Sequence, residues 1–201
     1  MQMNNHRLCY WCGKLASSED HVPAKAFFKK QKKSDELITV PSCSKHNQLF
    51  SKDEEWLRNI LTAITHDSDA LEIWKKRSFP SLRRNRGLLK EMRQNMVRLK
   101  DGRNALKFSK SKTRHVVQKI VRGLYYKTYK QPLGKAYFRY YFNPEVNLLK
   151  ELAPKAKFCS IQNGVFQWAV AATENDPGNA IWWLEFHRSN LFVVTVTRQP
   201  I

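Results

Sequence analysis

The sequence lacks the features that mark a membrane, secreted or disordered protein. Among its 201 residues, no uninterrupted apolar run approaches the roughly 18 residues that a transmembrane helix needs. The first residues, MQMNNHRLCYWC, contain no apolar core of a signal peptide. Aromatic residues make up 12% of the chain, which excludes wholesale disorder. We therefore expect a soluble, cytoplasmic protein with a packed core and no membrane contact.

Acidic residues are nearly missing from the middle third of the chain. Residues 75–135 hold 20 Lys and Arg but only two acids, Glu91 and Asp101, which gives a net charge of +18. Residues 1–74 hold 10 of each sign and residues 136–201 hold 6 basic and 5 acidic, so the middle segment carries almost all of the total of +19. One-sided charge of this strength attracts a polyanion, and nucleic acid is the partner that fits it. The alternative is a solvated surface that serves solubility alone.

Cysteine is also scarce, and the spacing of the four cysteines does not suggest disulfides. Cys9 and Cys12 form a C-x-x-C pair, and Cys43 begins a C-x-x-H with His46. Disulfides are rare in cytosolic proteins, whereas two such half-sites are typical of tetrahedral zinc. Three thiolates and one imidazole leave no open position, so we predict a structural Zn²⁺ ion that staples the intervening loop. Cys159 stands alone in an apolar run and is expected to be packed.

The pattern of apolar residues predicts an α+β fold in three segments. Residues 1–66 should form an N-terminal module of turns and short strands, ending in a helix from Ser51 to about Thr65 with Glu54 at the capping-box position. Residues 67–135 should be a basic helical segment. Residues 136–201 should be an α+β segment whose strands form an antiparallel meander. The other predicted elements are a strand over 37–40 ended by Pro41, helices over 68–76 and 82–99 separated at Pro80, a loop over 103–112, a helix from Thr113, extended residues 137–142, a helix over 143–152, and strands over 165–173, 181–187 and 191–197.

A further motif lies between and beside the two zinc half-sites. The segment Glu19-Asp20-His21-Val22-Pro23 falls inside the stapled loop, and Asn47 follows directly on the second half-site. The order C-x-x-C, then Asp-His with an apolar residue and Pro, then C-x-x-H followed by Asn resembles the HNH endonucleases, a family of ββα-metal (His-Me finger) nucleases. The resemblance covers roughly residues 7–60 and does not reach residues 80–201. It implies that residues 1–66 form a zinc-stapled ββα-metal module.

This resemblance also implies an activity and its residues. The protein would be a metal-dependent endonuclease that hydrolyses phosphodiester bonds, with DNA favoured over RNA and a role in restriction or phage defence. His21 would be the general base, since neutral imidazole can deprotonate the attacking water. Asp20 and Asn47 would hold a catalytic Mg²⁺ or Mn²⁺ ion. The middle Asn of many family members is missing here. Glu36 is a candidate in its place, either orienting His21, adding a metal ligand or lying on plain surface.

The basic segment gains a role in this hypothesis, because Lys and Arg contact phosphates without reading sequence. Tyrosines 125, 126, 137, 140 and 141 either stack on bases or pack in the core. Two other functions stay open: a catalytically inactive, zinc-stabilised nucleic-acid-binding module, and an RNA-directed nuclease or toxin. The C-terminal sheet either forms a homodimer or recognises substrate. The residues predicted to contact nucleic acid are Lys52, Arg83, Arg84, Arg86, Arg93, Lys110 and Lys112.

Overall fold

The computed structural model describes residues 7–30, 36–100, 102, 104–144 and 158–199. These residues form a mixed α+β fold that contains a five-stranded antiparallel sheet, which confirms the predicted fold class at that level. No helix in the described part of the chain is long and apolar enough to cross a membrane.

The N-terminal part is a short antiparallel hairpin followed by helices. Strand β1 (Ser18–His21) pairs with strand β2 (Thr39–Ser42), and helices α1 (Ser44–Gln48) and α2 (Ser51–Ile64) follow. Pro41 lies inside β2, so the prediction that it ends the strand is wrong. Proline is tolerated at this position because the backbone of Pro41 faces away from β1 and is not needed as a donor to that strand. On this outer side, the carbonyl of Pro41 accepts a hydrogen bond from the N–H of Tyr10.

The start of α2 also differs from the prediction. Phe50 is the N-cap, and no side chain of the described residues caps the helix. Glu54 is buried and its carboxylate accepts a hydrogen bond from the distant Lys119, so it takes no part in a capping box. A tertiary ion pair has therefore overridden the local capping pattern.

The middle segment continues as helix past Pro80, contrary to the predicted break. Helix α3 (Ser68–Ile73) leads through a π-helical stretch into α4 (Phe79–Arg84). Pro80 lies in the first turn of α4, where its missing N–H is not needed for the helical ladder. The predicted helix over 68–76 is thus part of a longer helical run.

The predicted helix over 82–99 is wrong in two places. Asn85 separates α4 from α5 (Arg86–Gln94), because its side chain accepts a hydrogen bond from the N–H of Leu88 and starts a new helix. Beyond α5 the chain forms a hairpin of β3 (Met96–Arg98) and β4 (Asn104–Leu106). The predicted loop over 103–112 therefore contains a strand, and α6 (Lys110–Tyr129) begins three residues before Thr113.

The C-terminal sheet confirms the predicted meander. Its strands lie in the order β5-β9-β8-β7-β6, and every neighbouring pair is antiparallel. The strands are β5 (Ala136–Phe142), β6 (Cys159–Ile161), β7 (Phe166–Ala172), β8 (Ala180–Phe186) and β9 (Asn190–Arg198). Cys159 lies on an edge strand and is exposed, so the prediction that it is packed is wrong. The helix predicted over 143–152 falls, beyond residue 144, outside the described residues.

One face of this sheet packs against the helices. The resulting core joins residues from all three segments, such as Trp56 of α2, Ile120 of α6 and Phe192 of β9, each fully buried. The N-terminal hairpin contributes Val22 and Val40 to the same core. Helix α6 contacts β2, α2 and β5, so it positions the hairpin relative to the sheet.

Candidate functional site

The two zinc half-sites come from different local structures. The first is a tight turn in which the N–H of Gly13 donates to the carbonyl of Cys9 at 2.9 Å and the N–H of Cys9 donates to the carbonyl of Lys14 at 2.7 Å. Gly13 has φ +71°, a conformation that favours glycine. The second half-site is the first turn of α1, where the N–H of His46 donates to the carbonyl of Cys43 at 3.1 Å. Each half-site therefore places its two side chains on one side of a turn.

The four predicted zinc ligands converge in space. The ligand atoms of Cys9, Cys12, Cys43 and His46 all lie within 4.8 Å of one another. The Nδ1 atom of His46 lies 3.1 Å from Cys43 Sγ and 3.8 Å from Cys9 Sγ. Three sulfurs and one imidazole nitrogen are a donor set that suits a closed tetrahedral zinc site. The structure thus supports the sequence prediction of a Cys₃His site able to hold a metal ion.

The protonation of Cys9 suits metal binding. Burial disfavours its thiolate, but hydrogen bonds from the backbone N–H groups of Cys12, Cys43 and Trp11 outweigh burial and lower the pKa of Cys9. Zinc binds the thiolate, which is the form that these backbone groups favour.

The protonation of His46 suits metal binding as well. Burial, together with the charges of Lys45 and Lys14, lowers the pKa of His46, so its imidazole is neutral at pH 7. A neutral imidazole has a free lone pair for zinc, whereas a protonated ring would have to lose its proton first. Cys9 and His46, one residue from each half-site, thus favour the protonation state that binds a metal ion.

An aromatic stack holds the Cys₃His cluster against the rest of the fold. The ring of Trp11 lies 5.8 Å from the ring of His46, at an angle of 29°, and 4.6 Å from the ring of Phe50. The guanidinium of Arg122, on α6, lies 4.9 Å from the Trp11 ring and 5.2 Å from the ring of Phe138, on β5. These contacts fix the orientation of the imidazole and connect the cluster to α6 and the C-terminal sheet.

His21 ends strand β1 and is half-buried. Within the described part of the chain, its ring nitrogens have no hydrogen-bond partner. Burial lowers the pKa of His21, and Lys25 lowers it further, while the neighbouring carboxylate of Asp20 acts in the opposite direction. The imidazole is therefore neutral at pH 7, which is the state that a general base requires.

Asp20 points to the opposite side of β1 from His21, as alternation along a strand demands. Its carboxylate is 5% exposed and accepts a hydrogen bond from the hydroxyl of Tyr10 at 3.0 Å. The ammonium of Lys119, which is 1% exposed, lies 3.1 Å from Asp20 Oδ1 and 2.7 Å from Glu54 Oε1. A buried network of Tyr10, Asp20, Lys119 and Glu54 thus ties β1 to α2 and α6.

The charges of this network shift the protonation of its members. Burial, followed by the Asp20 carboxylate, raises the pKa of Tyr10 well above its usual range, so the phenol stays a hydrogen-bond donor. Burial also raises the pKa of Glu54, although the ammonium of Lys119 opposes this shift. Of the four residues, only Asp20 belongs to the motif that the sequence predicts. The sequence of α6 also carries a sign of this network, because Lys119 stands beside the apolar Ile120. In the structure Lys119 is buried.

Asn47 lies against the same face of β1 as Asp20. Its side-chain nitrogen donates to Ser18 Oγ at 3.0 Å and to the carbonyl of Glu19 at 3.2 Å. Ser18 and Asp20 are two residues apart on the strand, so their side chains share a face. The predicted cation ligands are therefore on one side of the hairpin. As the side chains stand they do not fit a divalent cation, because Lys119 and Tyr10 already occupy the Asp20 carboxylate.

The remaining predicted site residues lie on the surface or in ion pairs. Glu36 is exposed and, in the described part of the chain, makes no hydrogen bond or ion pair with His21. Lys112 is paired with Glu91, both of whose carboxylate oxygens lie 2.6 Å from the ammonium. The predicted cations that are exposed and have no ion pair within the described residues are Lys52, Arg83, Arg84, Arg86, Arg93 and Lys110.

No protein-family model, curated protein or solved structure matches this chain. Its function must therefore be inferred from its own residues. The features that bear on function are the Cys₃His cluster, the imidazole of His21 and the basic surface of the middle segment.

Proposed function

We propose that this protein is an endonuclease that hydrolyses phosphodiester bonds in nucleic acid, with DNA favoured over RNA, through a zinc-stapled hairpin like that of the HNH endonucleases. The observation that carries the proposal is the Cys₃His cluster at the base of this hairpin. Cys9 and Cys12 precede β1, and Cys43 and His46 directly follow β2. A zinc ion there fixes both strands, and β1 ends in the half-buried His21.

His21 supplies the general base in this proposal. Its neutral imidazole takes a proton from the water that attacks the phosphorus atom, and the bond from phosphorus to the leaving oxygen then breaks. Burial and the positive charge of Lys25 both lower the pKa of His21, which favours the neutral ring that a general base needs. Asp20, on the other face of the strand, holds β1 in place through Lys119.

The exposed cations of the middle segment support nucleic acid as the substrate. Arg83 and Arg84 end α4, while Arg86 and Arg93 lie on α5, and all four side chains are exposed. Since they have no acidic partner among the described residues, these side chains can neutralise phosphates and release the counterions bound there. Such contacts add affinity for nucleic acid of any sequence, which suits an endonuclease of broad specificity.

A catalytic Mg²⁺ or Mn²⁺ ion is a separate part of the proposal. The resemblance assigns it to Asp20 and Asn47, whose oxygens are suitable ligands and lie on one face of the hairpin. The hydrogen bonds of Asp20 with Tyr10 and Lys119 argue against that assignment. The same observation favours a second candidate function, a zinc-stabilised nucleic-acid-binding module without catalysis.

The experiment that tests the proposal is cleavage of a substrate panel. Purified zinc-loaded protein is incubated with supercoiled plasmid, single-stranded DNA and RNA, each with Mg²⁺, Mn²⁺ or a brief excess of EDTA. We expect nicked or linear products from DNA. Cleavage that survives EDTA supports hydrolysis without a catalytic cation at Asp20, and cleavage only with added cation supports the ligand assignment. Binding to all three substrates without cleavage of any would favour the binding module.

A further inference from the structure

Strand β5 presents an exposed row of two tyrosines and one arginine. Its residues alternate between the core face and the outer face, and Tyr137, Arg139 and Tyr141 all point outward. Tyr137 is 66% exposed and Tyr141 is 48% exposed, although large aromatic side chains are usually covered. The neighbouring Tyr140 points inward and packs against the core. We call Tyr137, Arg139 and Tyr141 the tyrosine row.

The strand beside the row leaves it open and uncharged. Within the described sheet, β5 is an edge strand that pairs only with β9. The residues opposite Tyr137, Arg139 and Tyr141 are Thr197, Thr195 and Val193, none of which is charged. Neither β5 nor β9 contains an acidic residue. An anionic ligand therefore meets Arg139 without repulsion from these two strands.

Helix α6 connects the row with the proposed active site. The hydroxyl of Tyr140, on β5, donates to the carbonyl of Lys110, in the first turn of α6, at 3.2 Å. Lys119, which binds Asp20 of the hairpin, lies nine residues further along α6, about 14 Å at 1.5 Å per residue. Helix α6 therefore contacts both the inner face of the strand that carries the row and the hairpin.

A second connection runs through the aromatic stack beside the zinc cluster. Phe138, the inward neighbour of Tyr137 on β5, contacts the guanidinium of Arg122, which stacks on Trp11. Phe138 thus connects the strand that carries the tyrosine row to the Cys₃His cluster.

We propose that the tyrosine row binds unpaired bases, so that the substrate class is nucleic acid with a single-stranded segment. This inference rests on the proposed function for its ligand. Tyr137 and Tyr141 are four residues apart on a strand, about 13 Å, which matches roughly two nucleotides of an extended single strand. The rings stack on bases, and Arg139 lies between them to bind the intervening phosphate. The bases of a duplex are already stacked on each other and cannot use the rings.

Binding of fluorescently labelled oligonucleotides to the intact chain tests this inference. Anisotropy titrations of the zinc-loaded protein, without added Mg²⁺ or Mn²⁺, compare a 20-nucleotide single strand with the duplex of the same sequence. The double variant Tyr137→Ala/Tyr141→Ala should bind the single strand at least about 30-fold more weakly, from the usual contribution of base stacking at two rings. Its affinity for the duplex should be unchanged. The variant Tyr137→Phe/Tyr141→Phe keeps both rings and should bind like the wild type.

A basic-surface variant separates this inference from the proposed function. Neutralising Arg83, Arg84 and Arg86 together should weaken duplex and single-strand binding alike. It should also lower the log–log salt slope by about 0.9 for each phosphate of duplex DNA that the variant no longer binds.

Four outcomes would contradict these proposals. Equal effects of the tyrosine double variant on both oligonucleotides, or no effect on either, would overturn the row. A change in oligomeric state of that variant, measured by light scattering, would instead identify the row as a homodimer interface and likewise overturn it. Absence of binding to either oligonucleotide by the wild type would overturn both proposals.

Discussion

Replacing Cys43 by serine is expected to abolish zinc binding and to unfold the N-terminal hairpin. Cys43 is one of the four residues of the cluster, with its sulfur 3.1 Å from His46 Nδ1. The four residues of the cluster lie before β1 and after β2, and they flank a two-stranded sheet that is only marginally stable by itself. Binding of structural zinc supplies on the order of 10–16 kcal/mol in small zinc domains, and this is folding free energy. Zinc content by mass spectrometry and amide hydrogen exchange of β1 and β2 measure the two effects.

Cys159→Ser is the matched control for this experiment. It removes the same thiol from an exposed position outside the cluster, so zinc content and hydrogen exchange should stay as in the wild type. One equivalent of zinc retained by the Cys43→Ser variant would show that Cys43 is not a ligand. A zinc-free wild type with a protected hairpin would show that the fold does not need the metal.

Lys119→Met should lower the free energy of unfolding by about 3–5 kcal/mol, because it leaves the buried carboxylates of Asp20 and Glu54 without their shared cation. Methionine keeps nearly the same length and volume, so packing changes little. Urea unfolding monitored by circular dichroism measures the difference. The matched control is Lys127→Met on the same helix, which removes an exposed lysine and should change stability by less than about 0.5 kcal/mol.

The destabilisation caused by Lys119→Met should depend on pH. Burial raises the pKa of Glu54 above its ordinary value, so acid neutralises this group earlier than an exposed glutamate. A protonated Glu54 needs no counter-cation, whereas the wild-type lysine then loses a partner. The difference in stability between variant and wild type should therefore shrink as pH falls through the raised pKa of Glu54. A difference that is constant from pH 7 to pH 4 would contradict the ion network.

Local patterns predicted the parts of the molecule that local geometry determines. The zinc half-sites are a C-x-x-C turn and a C-x-x-H turn, and each places its ligands by itself; only their meeting depends on the fold. The same holds for α6 and the C-terminal strands, whose apolar residues repeat with helical or strand periodicity over many residues. The turn at Asn85 could not be distinguished from helix in this way, because Leu82, Leu89 and Met92 fit one continuous helical face.

The buried ion network escaped prediction because its members are far apart in the chain. Lys119 is 99 residues from Asp20 and 65 residues from Glu54. Glu54 satisfied a capping-box pattern, and only the packing of α6 on α2 shows that its carboxylate faces a lysine instead. The exposure of Tyr137 and Tyr141 was not predicted either. The extended conformation predicted for residues 137–142 gives the strand two faces, but aromatic residues stand on both, so the sequence does not show which face is buried.

The most direct test of the proposed nuclease is the pH dependence of single-turnover cleavage by wild type and His21→Ala, on whichever substrate of the panel is cleaved. The wild-type rate should be constant above about pH 6.5 and fall below it, because the pKa of His21 is lowered from the ordinary histidine value and only the neutral ring accepts a proton. His21→Ala should be slower by about 10²–10⁴-fold while binding substrate normally. His66→Ala, an exposed histidine outside the site, should behave like the wild type. Equal rates and equal pH profiles for His21→Ala and wild type would remove His21 from the mechanism and contradict the proposed function.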